Sequence, residues 1–506
     1  IEGEMAFSSM KFLLFLLGAV CGYYLIPRRF QWIWLLVFSY IYYLASGGKL
    51  VVFLLFTTLT TYGLARLIAG SGEDKKGKRR ILILGLLLNF GMLGVIKYTN
   101  LAVTSLNQIL GMELPFVHFL LPLGISFYTF QSMGYLLDVY WGRMEAEKNP
   151  FRFALFVSFF PQIMQGPIGR YSRLAGQLYE CHTFDWTRIE RGLQLMLWGF
   201  FKKMVLADNA ALFVNVIFDE YQSYPGLSAA GVLLYSIQLY GDFSGAMDVV
   251  MGVAGLFGIQ LDENFRRPYF ARSITDFWHR WHITLGTWMK DYIFYPFSLS
   301  RGMSRFGKFA RKKFGKQLGR TLPICIANLV VFLVVGIWHG AAWKFIAYGM
   351  YNGLIIGISG LLAKQYRSWK QKLGINDKSA WFAVFQILRT FLLVNVSWFF
   401  DRADTVGQAF TMFRNACSQM EWSGLLQIPT TAGGSGYTKT ILFVLFLGCL
   451  ILFAVSLLQE RGIRIRETLS KQPLVLRFAV YLALLFSLSM MGQMPLSSGG
   501  FIYAQF

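Results

Sequence analysis

Apolar runs close to 20 residues long recur from one end of the chain to the other, separated by short polar stretches. A bilayer core takes roughly 20 helical residues to cross. The pattern therefore predicts spans at about 11–26, 31–47, 50–69, 81–97, 116–137, 152–167, 192–215, 227–257, 321–340, 343–362, 381–400, 439–459 and 474–491. Two of these are expected to be broken or re-entrant. The 152–167 run holds Pro161 and Pro167, and the 227–257 run is too long and carries Asp242 and Asp248. Non-helical backbone survives at membrane depth only against protein or a water-filled cavity, so both runs are candidate cavity walls. The stretch 283–320 is too interrupted to cross once. In it Trp288, Tyr292, Phe294, Tyr295 and Phe297 mix with Lys290 and Asp291, a pattern that suits an interfacial helix at headgroup level. A short amphipathic helix is predicted around Val406–Cys417. No internal repeat or soluble domain is visible. The reading is an all-α polytopic membrane protein, a single integral-membrane domain over 5–506, with residues 1–4 read as an expression scar.

Composition agrees: 55% of the 506 residues are hydrophobic and only 15% are charged, against about 25% in a soluble chain. The net charge of +22 alone would suggest a nucleic-acid partner, but its distribution excludes one. Basic residues concentrate between apolar runs, as at Lys75–Arg80, 364–372 and 461–471, and 301–320 holds eight Lys or Arg and no acid. That is the positive-inside pattern. It places 73–80, 301–320 and the Arg28–Arg29 loop inside and both termini outside. The tip Trp338–Trp343 then sits deep in the membrane or near the outer face. The five cysteines are scattered, with neither disulfide nor metal-ligand spacing.

Among five histidines, two carry candidate chemistry. His339 ends a nearly wholly apolar span in Gly336-Ile-Trp-His-Gly-Ala-Ala-Trp343. An unpaired ionisable group there costs about 2–3 kcal/mol or more, so such residues are functional candidates by default. An imidazole can take and return a proton near neutrality; the bland alternative is a histidine bonded to a neighbouring helix. His282, in Asp276-Phe-Trp-His-Arg-Trp-His282, either faces the same cavity or is a headgroup-level polar residue. Trp278 and Trp338 flank these positions. His279 faces a neighbouring part of its helix, and His118 and His182 read as structural. Tyr240-Gly-Asp-Phe-Ser-Gly-Ala-Met-Asp248 puts Asp242, Ser244 and Asp248 in an apolar run, with Gly241 and Gly245 permitting close helix approach. Either carboxylate orients a histidine or pairs with a base such as Arg266, Arg267 or Arg389, and structural pairing is the favoured role. Gln162 and Gln165, bounded by Pro161 and Pro167, suit a polar tunnel wall or interhelical glue. No Gly-x-Ser-x-Gly elbow is present, which argues against a serine hydrolase, and no phosphate-cradling glycine loop appears.

Taken in order, these segments resemble the membrane-bound O-acyltransferase family, in its bacterial alginate O-acetyltransferase branch. The carrying motifs are Gly124-Ile-Ser-Phe-Tyr-Thr-Phe-Gln131, Phe160-Pro-Gln-Ile-Met-Gln-Gly-Pro167, Tyr240-Gly-Asp-Phe-Ser-Gly245 and Asn264-Phe-Arg-Arg-Pro-Tyr269. They continue with Phe277-Trp-His-Arg-Trp-His-Ile-Thr284, Trp288-Met-Lys-Asp-Tyr292, Gly336-Ile-Trp-His-Gly340 and Phe501-Ile-Tyr-Ala-Gln-Phe506, and the opening Met5-Ala-Phe-Ser-Ser fits too. Departures are mild: the family usually has a basic residue where His279 stands and a tyrosine where Ala246 stands. The resemblance implies a multi-helix fold with a central funnel or tunnel in the bacterial cytoplasmic membrane. It implies His339 as the catalytic histidine, His282 as the second active-site position, and Gln162, Gln165, Tyr240, Asp242, Ser244, Trp278 and Trp338 as tunnel candidates. The implied reaction is acyl transfer, most simply of acetyl, from a cytoplasmic thioester such as acetyl-coenzyme A, with no bound cofactor or metal. Arg266, Arg267, Lys290, Arg311, Lys312 and Lys313 are donor-binding candidates. Implied partners are membrane lipids, a polysaccharide as final acceptor, an extracytoplasmic acetyltransferase and an acyl-donor protein on the cytoplasmic side. The runner-up is D-alanyl transfer to teichoic acid from a carrier protein; a transporter is a distant third, for want of paired interrupted spans.

Overall fold

A computed structural model describes residues 9–163, 165–428 and 434–492. The motif ends at Met5–Ser8 and Phe501–Phe506, the expected scar at 1–4, and Met164 lie outside the described residues. The described residues are mostly helical. Among the described residues, the extended pairing is a single antiparallel bridge between Phe265 and Trp281. Among the described residues, six helical stretches are long and apolar enough to cross a membrane, or seven if Trp343–Leu361 and Ala363–Lys372, bent by 60°, count as one span. Part of the shortfall from thirteen predicted spans is a merger, since Arg28–Gly70 counts as one stretch where two runs were predicted, and part is length. Several predicted runs form helices such as Met10–Leu25 and Ile125–Tyr140, of 16 residues each. At 1.5 Å per residue each spans about 24 Å, short of the roughly 30 Å hydrocarbon core.

The chain divides into two compact units, the first formed by 1–208, 239–262 and 461–506 and the second by 209–238 and 263–460. In the first unit, helices Gln31–Gly47 and Val51–Gly70 follow the predicted spans closely. The predicted 116–137 span does not hold. The chain is non-helical from Gly111 until Ile125–Tyr140 begins, because Pro115 and Pro122 lack the amide protons a helix needs. Two asparagines from the preceding helix satisfy this stretch. Asn100 exchanges hydrogen bonds with the Val117 backbone at 2.8 and 2.9 Å, and Asn107 does the same with Leu114. The 152–167 run breaks as expected, into Pro150–Ser158 and the short turn Phe160–Ile163. The 227–257 run does not break: Ser228–Leu256 is one continuous helix. Its glycines explain part of this. A Cβ on Gly245 would lie 2.7 Å from the Gly199 carbonyl oxygen, and one on Gly252 2.6 Å from that of Gly192, so backbones pack directly.

In the second unit, Arg301–His339 is a helical hairpin rather than one rod. Gly315 has φ 85° and ψ 171°, a conformation open to glycine. The basic arm before it folds back, so that Arg311 backbone packs on Gly319. The returning arm carries the span to His339, and Trp343–Leu361 packs on it through Gly336 and Gly349, where a Cβ would collide with backbone of the other helix. Helix Ala380–Arg402 follows, then Val406–Ser418, which matches the predicted amphipathic helix.

Candidate functional site

The second unit brings His282, His339, Trp278 and Trp338 together. Residues 264–266 and 280–283 form a short antiparallel pairing: Arg266 N donates to Arg280 O at 2.9 Å and Ile283 N to Asn264 O at 3.0 Å. This clamp holds His282 in the left-handed region, at φ 46°; Arg267, at φ 47°, is the other non-glycine there among the described residues. Such backbone costs on the order of 1–3 kcal/mol and persists where surrounding structure enforces it. Asn264 supplies that enforcement. Its side-chain oxygen accepts from Thr284 N at 3.0 Å and Thr284 Oγ1 at 2.9 Å, and lies 3.1 Å from His282 Nδ1. The Thr284 amide can only donate, so the Asn264 oxygen is an acceptor and the His282 proton sits on Nδ1. Nε2 then carries the lone pair. Residues 263–300 lie outside the candidate spans. Burial, and then the neighbouring His339, push the His282 pKa down to about 3, so the ring is neutral at physiological pH.

His339 ends the returning arm and is buried. Its ring centroid lies 4.8 Å from Tyr348 and 5.3 Å from Trp338, whose ring is also 5.4 Å from His282. The Trp338 indole thus contacts both imidazoles. Trp278 packs against Phe332, at 5.3 Å, and donates from Nε1 to Asn352 Oδ1 at 3.3 Å. His339 Nδ1 lies 3.7 Å from Oδ1 of Asp401, a buried carboxylate in the last turn of Ala380–Arg402. The other oxygen of Asp401 accepts from Tyr235 Oη at 2.7 Å. Asn264, Tyr235, Tyr348 and Asp401 are absent from the expected site. Asn264 lay within a noted motif without a role, and Asp401 fell just past the predicted 381–400 run.

Tyr240, Asp242, Ser244, Gln162 and Gln165 belong to the first unit. Asp242 pairs with Lys203 at 2.5 Å, which also reaches Asp208 at 2.9 Å. Asp248 pairs with Lys202 at 2.8 Å, and Lys202 donates to Ser244 Oγ at 2.9 Å. The favoured structural pairing is therefore found, but with Lys202 and Lys203 rather than Arg266, Arg267 or Arg389. A π-helical turn over Phe201–Ala207 presents these consecutive lysines to one helix. Their saturation of the carboxylates explains why Ser228–Leu256 needs no break. Tyr240 is buried, with Lys202 Nζ 5.7 Å from its ring centroid. Gln162 folds onto its own loop, donating to Pro167 O at 2.5 Å, and Gln165 is buried nearby in sequence. Of the basic candidates, Arg266 pairs with Glu263, and Arg267 with Glu460 at 2.6 Å, a carboxylate it shares with Arg280. Lys290, Arg311, Lys312 and Lys313 are exposed.

The fold defines a polytopic membrane protein with two buried histidines on a common tryptophan. The family model of MBOAT, the membrane-bound O-acyltransferase family, matches residues 146–395. The probable alginate O-acetylase AlgI of Pseudomonas syringae pv. tomato is 34% identical over 83% of this chain and 76% of its own length. The peptidoglycan O-acetyltransferase of Helicobacter pylori is 33% identical over 79% of this chain and 75% of its own. The teichoic acid D-alanyltransferase of Bacillus subtilis is 29% identical over 54% of this chain and 66% of its own. The chain belongs to the membrane-bound O-acyltransferase family and is an acyltransferase.

Proposed function

We propose that this protein takes an acetyl group from a cytoplasmic thioester, most simply acetyl-coenzyme A, and passes it through the bacterial cytoplasmic membrane for O-acetylation of a secreted or cell-surface polysaccharide. The observation that carries the reading is His339, buried at the end of a membrane-crossing helix beside a second imidazole. In this reading the acceptor hydroxyl gives its proton to His339 as its oxygen attacks the thioester carbonyl. The carbon–sulfur bond breaks and the proton passes on to the departing thiolate. Positioned acid–base catalysis of this kind contributes roughly 10²- to 10⁴-fold. A donor beside His282 steadies the oxyanion, since the His282 Nδ1 proton is directed at Asn264 and its Nε2 can only accept. The acceptor is either the polysaccharide or a hydroxyl of an extracytoplasmic acetyltransferase that completes the route.

The exposed basic hairpin would gather anionic donors and lipid headgroups by charge. Counted at 1.5 Å per residue from Lys316, the arm to His339 is about 35 Å long. The hairpin therefore acts by attraction at the membrane face, and the thioester has to reach His339 by another route. D-alanyl transfer from a carrier protein is the second reading, favoured by the Bacillus relative. The O-acetylating relatives match 83% and 79% of this chain against its 54%, and on that ground acetyl is preferred. Membranes bearing the protein, supplied with radiolabelled acetyl-coenzyme A, should label polysaccharide. Labelling that requires a charged carrier protein instead would transfer the assignment to the D-alanyl branch.

A further inference from the structure

We propose that Asp401, held by Tyr235, is the positioning residue of His339; the inference rests on the reading of His339 as the base. Four observations converge on this carboxylate. It is almost wholly buried, with 5% of its side chain exposed, and its Oδ1 lies 3.7 Å from His339 Nδ1. Its Oδ2 accepts the Tyr235 hydroxyl at 2.7 Å. The backbone that carries it is pinned, because Lys344 Nζ donates to Asp401 O at 3.2 Å and to Ala403 O at 2.6 Å. Finally, Tyr235 is itself braced: the next residue, Ser236, donates to Asn395 Oδ1 at 2.8 Å and accepts from Tyr269 Oη through its carbonyl, also at 2.8 Å.

A buried carboxylate is costly unless its partners compensate, and replacing such a group by apolar residues is often neutral or stabilising. Its partners here are one tyrosine hydroxyl and one imidazole, with Lys344 and Arg402 nearby. The separation from Nδ1 exceeds a hydrogen bond, as is common for catalytic pairs before substrate binds, which tighten in the reacting complex. Closing it fixes the proton on Nδ1 and leaves Nε2 to take the acceptor proton. The carboxylate then stabilises the imidazolium, while its own proton state is unchanged. Tyr235 keeps Oδ2 occupied and so aims Oδ1 at the ring.

The test measures the rate of acetyl transfer from acetyl-coenzyme A in membranes at matched protein levels, for wild type and for the Asp401→Asn, Asp401→Glu, Tyr235→Phe and His339→Ala variants. Asp401→Asn should lower kcat by about 10²- to 10³-fold, the scale of general acid–base catalysis, with KM for the donor changed less than about threefold. Asp401→Glu should restore part of the lost kcat, and Tyr235→Phe should lower kcat by roughly 3- to 10-fold, the scale of about 1 kcal/mol for one hydrogen bond. Wild-type kcat in Asp401→Asn would overturn the proposal. If that variant does not reach the membrane folded, Tyr235→Phe decides: unchanged kcat overturns the proposal, and a pure kcat loss supports it. Retained transfer in His339→Ala would instead sink the reading of the base, whatever Asp401 does.

Discussion

His339 and His282 share one tryptophan, similar burial and one residue type, yet the groups behind their rings differ in charge. Behind His282 Nδ1 stands a neutral amide, Asn264, which also takes two hydrogen bonds from Thr284. Behind His339 Nδ1 stands a carboxylate, Asp401. An amide orients a ring without stabilising its charged form, whereas a carboxylate does both. The difference suits two roles: a neutral ring fixed in place at 282, and a ring that can carry a proton through a reaction cycle at 339. The supports differ as well. His282 sits on left-handed backbone clamped by a two-strand pairing, and His339 on the end of a regular helix.

The comparison can be broken most sharply at His339. His339→Gln keeps a polar side chain but no base, and acetyl transfer in membranes should fall by at least about 10³-fold, with protein levels unchanged. At the other ring, Asn264→Leu would strip partners from Thr284 and His282 together. With about 1–3 kcal/mol for each buried group left unpaired, it should lower the unfolding temperature in detergent by several degrees and reduce transfer through displacement of His282. The backbone term is smaller. His282→Ala should be less stable than His282→Gly by about 1 kcal/mol, because only glycine occupies left-handed backbone freely, while both lose the imidazole. The acid dependence has a different origin. His282 is neutral in the fold down to about pH 3, whereas in the unfolded chain it takes a proton below about 6.5. The unfolded state thus binds more protons across that window, and stability falls as pH drops through it, by up to roughly 1.4 kcal/mol per unit. Thermal unfolding at pH 7 and pH 5 should show this acid loss, and His282→Gln should reduce it.

What the sequence made legible follows from the same physics. A histidine ending an apolar span stands out without any neighbour, and so His339 could be singled out from pattern; pattern left His282 open, and Trp278 and Trp338 entered as tunnel candidates through the family resemblance. Their partners could not. Asn264 precedes His282 by 18 residues, and Asp401 lies 166 residues from Tyr235, so only tertiary packing unites them. Lys202 and Lys203 escaped because they lie inside the predicted 192–215 span, where nothing in the pattern shows that a π-helical turn aims them at Asp248 and Asp242. The doubling back at Gly315 was hidden too, since nothing distinguishes it in sequence from Gly302, Gly307 and Gly319 in the same basic run, although its φ is 85°. Where prolines interrupt an apolar run, the outcome depended on local satisfaction. Asparagine side chains stabilise the non-helical 111–124 stretch, which hydropathy counted as part of a crossing.

The account stands most directly on acetyl incorporation into cell-surface polysaccharide, compared among wild type, His339→Ala and His282→Ala at matched membrane levels. It predicts near-complete loss for His339→Ala and a strong reduction for His282→Ala. Acetylation that persists in the His339 variant would contradict it, and would leave the protein a carrier or scaffold for another enzyme's chemistry.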